Sequence, residues 1–368
     1  MKILSGVDKK FRIAGIIGAL IVSVVILTSP SQPPPIPEPS EQTNESIKIL
    51  ATGLKRPWAI AFADQKIFVT EKAGTIRVIQ SDVLLEEPLA TLRAASIFGG
   101  GLLGIATHPD FSANHFLYVY YTYSENDNLW NKVIRITESE NKVSDVVTIL
   151  DKIPGSQFYN GGVLKFGPDG KLYVATGISS EFSHESQEID SLGGKILRLN
   201  DDGTIPDDNP ISGSPVFSLG HRDVQGMAWR ENGDMYVTEA GPTKNDEINI
   251  VRAGQNYGWP EQECGGKPEF VDSIMCYDPS IEPGGIVFYG GDKIAIEGMI
   301  MATLRGANLF HVDIDERGMA SQKSILSGVG RIRDVNEGPD GYLYLITSNT
   351  DGKGFPDRND DKLIRILR

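Results

Sequence analysis

Phe166-Gly167-Pro168-Asp169-Gly170-Lys171-Leu172-Tyr173-Val174 holds a strand end, a tight turn and the start of a second strand. Proline presets φ for a turn, aspartate bonds its own backbone, and glycine takes a positive φ without steric strain. The run after the turn alternates, as a strand with two distinct faces does. The same phrase recurs on both sides. Upstream lie Ala61-Phe62-Ala63-Asp64-Gln65-Lys66-Ile67-Phe68-Val69-Thr70, and His108-Pro109-Asp110-Phe111 leading into Phe116-Leu117-Tyr118-Val119-Tyr120. Downstream lie Trp229-Arg230-Glu231-Asn232-Gly233-Asp234-Met235-Tyr236-Val237 and Glu337-Gly338-Pro339-Asp340-Gly341-Tyr342-Leu343-Tyr344-Leu345. Between these two, Gly285-Ile286-Val287-Phe288-Tyr289 begins a weaker copy.

The copies stand roughly 45 to 65 residues apart, the scale of one four-stranded propeller blade with its loop. Helical periodicity is almost absent after residue 46. A pair of β-sandwich domains would not explain one phrase written six times. The sequence therefore predicts an all-β, six-bladed β-propeller of four-stranded antiparallel blades over residues 47–368. Ring closure is expected to pair Ile47–Leu50 with the last strand, Lys362–Leu367.

The N-terminus reads differently. Lys2, Lys9, Lys10 and Arg12 precede an apolar run from Ile13 to Leu27, a basic n-region followed by a hydrophobic h-region. The run is short of the roughly 20 residues that a spanning helix needs, and no Ala-x-Ala site follows it. Residues 1–28 are expected to form an apolar anchor helix or a cleaved signal peptide. Residues 29–46, rich in proline, read as an extended tether. Basic residues ahead of the apolar run place the body outside the cytoplasm. The predicted location is extracytoplasmic: membrane-tethered, or secreted if the segment is cut.

The formal charge of −14 excludes nucleic acid as a natural partner. The two cysteines, Cys264 and Cys276, lie close together in a polar stretch. In an exported chain they read as a disulfide, and with no third Cys or His at ligand spacing they do not read as a zinc site.

Several stretches are more specific than the repeat. They are Gly101-Leu102-Leu103-Gly104-Ile105, Asn160 to Tyr173, Leu192 to Leu199, Gly220-His221-Arg222, Glu239-Ala240-Gly241-Pro242, Asn256-Tyr257-Gly258-Trp259-Pro260 and Arg331-Ile332-Arg333-Asp334-Val335. Together they resemble the quinoprotein sugar dehydrogenases of the glucose/sorbosone dehydrogenase family, over roughly residues 48–368. The resemblance implies pyrroloquinoline quinone (PQQ) over the central channel with calcium beside it. It also implies hydride transfer from C1 of an aldose, giving the lactone, with a membrane carrier as electron acceptor.

Residue by residue, the resemblance implies cofactor contacts from Asn160, Arg222, Asp223, Arg305, Arg331 and Arg333. It implies calcium binding at Gly241 and Pro242, and the neighbouring Asp246 and Glu247 are candidates for a second cation. Arg222 is also expected to stabilise developing charge. The physical reason for so many cations is that a tricarboxylate is costly to dehydrate unpaired. Arg331 and Arg333 alternate by two, so both can point to one side of a strand.

The chain departs from the family pattern at its chemical centre. Tyr159 stands where the family has its base histidine, and a phenol with a pKa near 10 is a weaker base at neutral pH than an imidazole near 6.5. Gly99 stands where Gln or Glu is usual, and Ile178 where Asp is usual. Arg305 stands near a common Lys. His184 and His221 are the histidines nearest the proposed site; His221 is expected to be structural, donating to a backbone carbonyl. These departures keep a second function open: a non-catalytic extracytoplasmic propeller that binds a carbohydrate or protein ligand. A calcium-dependent hydrolase ranks last, because its acids would have to converge on the channel.

Overall fold

The structure, a computed structural model, describes residues 46–315 and 320–368. The expected anchor and nearly all of the tether lie outside the described residues. Among the described residues no helix is long and apolar enough to cross a membrane.

Six antiparallel sheets account for almost all of the regular structure. From the inside outward, the first blade runs Pro57–Ala63, Lys66–Glu71 and Thr75–Gln80, and two short strands, Val83–Leu84 and Ala90–Thr91, share the outer place. The second runs Leu102–Thr107, Phe116–Glu125, Asn128–Ser139 and Lys142–Pro154; the third Gly161–Phe166, Leu172–Thr176, Lys195–Leu199 and Val216–Leu219. The fourth runs Val224–Trp229, Met235–Glu239, Asp246–Val251 and Met275–Tyr277; the fifth Pro283–Tyr289, Gly298–Thr303, Asn308–Ile314 and Ala320–Ser327. The sixth has Ile332–Glu337, Leu343–Thr347 and Leu363–Ile366, and Ile47–Ala51 completes it. The register Ile47↔Ile366 and Ile49↔Ile364 joins the two ends of the propeller as expected. Each inner strand touches the inner strands of both neighbouring blades, and the last touches the first, so the ring is closed.

The repeated phrase has a packing reason. At four of the six junctions an aromatic at or next to the end of one inner strand meets, edge to face, a tyrosine from the second strand of the blade before it. Tyr118 meets Phe166 at 5.2 Å, Tyr173 meets Trp229 at 5.1 Å, Tyr236 meets Phe288 at 5.0 Å, and Tyr344 meets Phe62 at 5.0 Å across the closing junction. Edge-to-face pairs add about 0.5–1.5 kcal/mol each beyond the area they bury. The turn aspartates serve the same contact: Asp169 accepts from the Tyr173 hydroxyl and Asp340 from Tyr344. Gly170, at φ 72°, closes the first of these turns.

The alternation after each turn does not mark a buried and a solvated face. Leu172–Thr176, Met235–Glu239 and Leu343–Thr347 are buried at every residue. Blades pack face to face, so a second strand has a neighbour on both sides, and the alternation sorts side chains between two interfaces.

Candidate functional site

All six inner strands carry a register shift in their first few residues: Pro57/Ala59, Leu102/Ile105, Gly161/Val163, Val224/Gly226, Pro283/Ile286 and Ile332/Asp334. A bulge leaves a residue out of the ladder and re-aims it. Three of the residues so released are Trp58, Gln225 and Arg333, and they meet at the hub. The Arg333 guanidinium lies 4.0 Å from the Trp58 ring centre, and its Nη1 donates to Gln225 Oε1 at 2.7 Å. The glycines Gly162, Gly284 and Gly285 occupy the corresponding places in two other blades, where a Cβ would run into Leu103, the Arg333 carbonyl and Asp334 of the neighbouring blades.

Above this floor is a cleft of about 560 Å³, within the range of roughly 300–1,000 Å³ typical of small-molecule sites. Its walls come from one end of every blade. Arg56, Gly99, Tyr159, Asn160, Asp223, Glu282 and Arg331 precede inner strands, whereas Lys72, Gly241, Pro242, Arg305 and Ser348 follow second strands. The repeated turns, which join inner to second strands, are therefore on the opposite face. Six cationic residues (Arg56, Lys72, Arg305, Arg331, Arg333, Lys353) and three acidic ones (Asp223, Glu282, Asp351) line the cleft. In a chain of net charge −14, this local excess of cations marks an anion site.

Tyr159 lines the cleft as the resemblance implies, with a left-handed backbone at φ 61°. Arg222 lies over it: the guanidinium carbon is 4.0 Å from the Tyr159 ring centre and 5.2 Å from the Trp259 ring. Arg222 Nη1 donates to the Ala240 carbonyl at 2.5 Å. Among the described residues its buried Nε and Nη2 have no partner, nor has the Nε of Arg333. Burial lowers Arg333 to about 10, with Asp334 and Asp223 opposing the shift. Two stacked, buried guanidinium groups with unused N–H donors suit a planar, anionic ligand.

His221 corrects its expectation. It does not donate to a backbone carbonyl. Its Nδ1 is 2.6 Å from Glu239 Oε1 and its Nε2 is 2.8 Å from Ser218 Oγ, and the ring stacks on Tyr257 at 4.7 Å. Glu239 Oε2 accepts from the Arg222 amide at 3.0 Å. Burial opposes ionisation of Glu239, but His221 holds it in the charged direction. The pair is wholly buried and fixes the chain beneath Arg222. His184 is largely exposed, 3.9 Å from Glu188, and does not line the cleft.

Other candidates are brought to the site but are already engaged. The Asn160 amide accepts from Ser156 N and Asn131 and donates to the Ser156 carbonyl, folding the loop that carries Tyr159. Asp223 accepts from Gly161 N at 3.0 Å, and burial raises its carboxyl, with Arg222 opposing. Arg305 and Arg331 line the cleft but are both ion-paired to Glu282. Ile178 is buried behind the Arg222 backbone, its N–H donating to the Arg222 carbonyl at 3.0 Å.

The acidic pair divides. Asp246 accepts from Gly241 N, Ser280 Oγ, Ile281 N and Glu282 N; its carboxylate ties loops together and leaves little for a cation. Glu247 lines a small cavity beside the cleft with Glu239, Glu263, Gly241 and Pro242. Burial and the nearby Glu239 charge raise it to about 7. Among the described residues no set of three or more His, Cys, Asp or Glu is arranged to hold a metal by side chains alone. Cys264 and Cys276 form a disulfide, with Cα atoms 5.6 Å apart, beside this cavity's loop.

Sequence reasoning missed Trp58, Lys72, Gln225, Glu282, Asp351 and Lys353. Lys72, lowered to about 8 by burial and by Arg333 and Arg56, donates to the Phe98 carbonyl at 2.6 Å. The signal that finds these residues is positional: each flanks the start of an inner strand or the end of a second strand.

The chain matches the family described as Glucose / Sorbosone dehydrogenase over residues 54–365. It is 31% identical over 341 residues to the aldose sugar dehydrogenase YliI of Escherichia coli, covering 84% of this chain and 91% of that one. It is 31% identical over 419 residues to quinoprotein glucose dehydrogenase B of Acinetobacter calcoaceticus, covering 85% and 87%. Among solved structures, the PQQ-bound form of an aldose sugar dehydrogenase from Streptomyces coelicolor superposes with a TM-score of 0.78 at 35% identity, covering 88% of this chain and 98% of that one. With the cationic cleft at the hub and a match running through every blade, the chain belongs to the Glucose / Sorbosone dehydrogenase family.

Proposed function

We propose that this protein is a PQQ- and calcium-dependent dehydrogenase that oxidises an aldose or related sugar at C1 to the lactone. The observation that carries this reading is the pair of buried guanidinium groups with N–H donors left unused, Arg333 on Trp58 in the cleft and Arg222 between Tyr159 and the small cavity beside it. The relatives' names support the same chemistry.

The residues present fit the cofactor. Arg222 and Arg333 supply charge-assisted donors, Trp58 and Tyr159 supply flat faces, and the excess of cations offsets several carboxylates. Gly241 and Pro242, on the wall between the cleft and the small cavity, would supply main-chain oxygens to calcium, which favours such ligands. Glu247 is the better placed carboxylate for a second cation: it lines the small cavity and accepts only from Asn249 and the Cys264 amide, whereas Asp246 accepts from four protein donors. When bound, the quinone supplies the hydride acceptor.

The chain's own part is to position the sugar and manage one proton. Tyr159 holds the base position on the cleft wall, with the Arg222 guanidinium over its ring. Arg222 places positive charge where negative charge develops. The His221–Glu239 pair fixes the backbone that carries Arg222. The N-terminal segment tethers the body outside the cytoplasm, and electrons pass to a membrane carrier.

Replacement of the base histidine by Tyr159 favours a second reading, in which the same cleft binds a carbohydrate without turnover. Reconstitution separates the two. Purified protein with PQQ and calcium should show the cofactor spectrum and reduce an artificial dye with aldoses. A spectrum without dye reduction supports the binding role, and no uptake at micromolar PQQ removes the dehydrogenase reading.

A further inference from the structure

Glu282 is built into the cleft wall. Its amide donates to Asp246 Oδ2 at 2.8 Å, its φ is 48°, and Pro283 follows at the start of an inner strand. The backbone is thus held in a left-handed conformation by a buried carboxylate on a neighbouring blade. Its side chain gathers cations from three further loops. Glu282 Oε1 accepts from Arg305 Nη2 at 2.7 Å and from Lys353 Nζ at 3.2 Å, and Oε2 accepts from Arg331 Nη2 at 2.8 Å. Asp351 takes the Arg331 Nε at 2.9 Å. Burial would raise the Glu282 carboxyl, but Arg331 and Lys353 bring it down to about 2, so it is ionised throughout the working range.

Half of the cleft's cations therefore already share one carboxylate belonging to the chain. We propose that Glu282 is an affinity- and specificity-determining residue: an internal carboxylate that competes with the carboxylates of a polycarboxylate ligand for Arg305, Arg331 and Lys353. A ligand carboxylate arriving there meets donors that are already paired, and it places like charges side by side. That juxtaposition is strongly unfavourable in a partly desolvated site. The cleft then discriminates by where a ligand carries its charge. A carboxylate directed at Arg333 meets an unpaired N–H group, whereas one directed at Arg331 must displace Glu282. Naming PQQ as the ligand rests on the proposed function; the competition itself rests only on the ion pairs.

The test is Glu282→Gln in the full chain, which keeps the side-chain size and removes the charge. Wild type and variant are titrated calorimetrically with PQQ plus calcium and, separately, with citrate, a redox-inert tricarboxylate. The expected result is at least about tenfold tighter binding of both ligands by the variant, with a steeper loss of affinity as salt rises. Adding Arg305→Gln to the variant should remove part of the gain. Equal or weaker binding of citrate by the folded variant overturns the proposal, because Glu282 would then order the cations rather than compete for them. Failure of both proteins to bind citrate also overturns it. If neither protein takes up PQQ while the citrate difference persists, the cofactor reading fails and the Glu282 proposal stands. If Glu282→Gln does not fold, Glu282→Asp withdraws the carboxylate by one methylene. That variant should bind citrate about threefold tighter, and no gain overturns the proposal.

Discussion

Arg222 and Tyr159 form one unit: the guanidinium carbon lies 4.0 Å above the centre of the phenol ring, and the Arg222 Nε and Nη2 remain without protein partners among the described residues. A cation held on an aromatic face is worth about 0.5–2 kcal/mol. Tyr159→Phe keeps the face and removes the hydroxyl. It should leave PQQ affinity within about threefold and cut dye-linked turnover by more than about tenfold. Tyr159→Ala should weaken PQQ binding by about tenfold. Tyr159→His should raise turnover at neutral pH, because imidazole titrates near 6.5 and a phenol near 10. Titration and steady-state rates on the three variants check this; a Tyr159→Phe enzyme at full rate would remove the proton-handling role.

Gly99 is required by the loop beside it. A Cβ there would come within 2.9 Å of Phe158 Cα and 3.2 Å of both Gln157 O and Tyr159 N. The family's usual Gln or Glu therefore cannot simply be restored. Gly99→Gln should destabilise by about 1–3 kcal/mol through overpacking and displace Tyr159, lowering turnover. Urea denaturation and dye-linked rates test this; a stable, faster variant would contradict it.

Calcium bound beside Glu247, as proposed, would make stability depend on pH. The folded value of Glu247, about 7, lies above its ordinary 4.5. A raised acid contributes stability that is complete below about pH 4.5 and is lost as pH rises through about 7. In chelator, the thermal midpoint should fall between pH 5 and 8, and Glu247→Gln should flatten that fall. Calcium should restore the wild-type midpoint at pH 8 but not that of the variant. Differential scanning calorimetry across this range decides it; an unchanged slope in Glu247→Gln would rule Glu247 out as the source.

The Cys264–Cys276 disulfide closes a loop with a sequence separation of 12. Loop-entropy arithmetic assigns it roughly 3 kcal/mol. The double variant Cys264→Ala/Cys276→Ala should lose about that much in urea unfolding. It should also loosen Glu247, because the Cys264 amide donates to Glu247 Oε1 at 2.6 Å.

At the closing junction, Tyr344 meets Phe62 edge to face at 5.0 Å, and its hydroxyl donates to Asp340. Tyr344→Leu should cost about 1–3 kcal/mol, combining the lost ring pair with the lost hydrogen bond. Hydrogen exchange should show the loss first in Ile47–Ala51 and Leu363–Ile366, the strands that seal the ring. Uniform loosening of all blades would argue against a local seam.

The propeller was legible because its determinants are local. A turn between two strands recurs in every copy, and in four of them an aromatic and a tyrosine within a few residues add a contact with a neighbouring blade. Chain order alone then closes the ring. Tyr159, Arg331, Arg333, Gly241 and Pro242, singled out through motif resemblance, all line one cleft, and Arg222 lies beside it. Tertiary structure alone decided which of the cations are free. Asp246, Asp351 and Glu282 are far in sequence from the groups they hold, and Glu282 reaches Arg305, Arg331 and Lys353 only because separate blades converge at the axis. Trp58, Gln225 and Arg333 likewise meet only because bulges in three blades release them toward a common centre. Sequence pattern specifies strands and their faces, whereas charge pairing across the axis depends on distances that no single segment encodes.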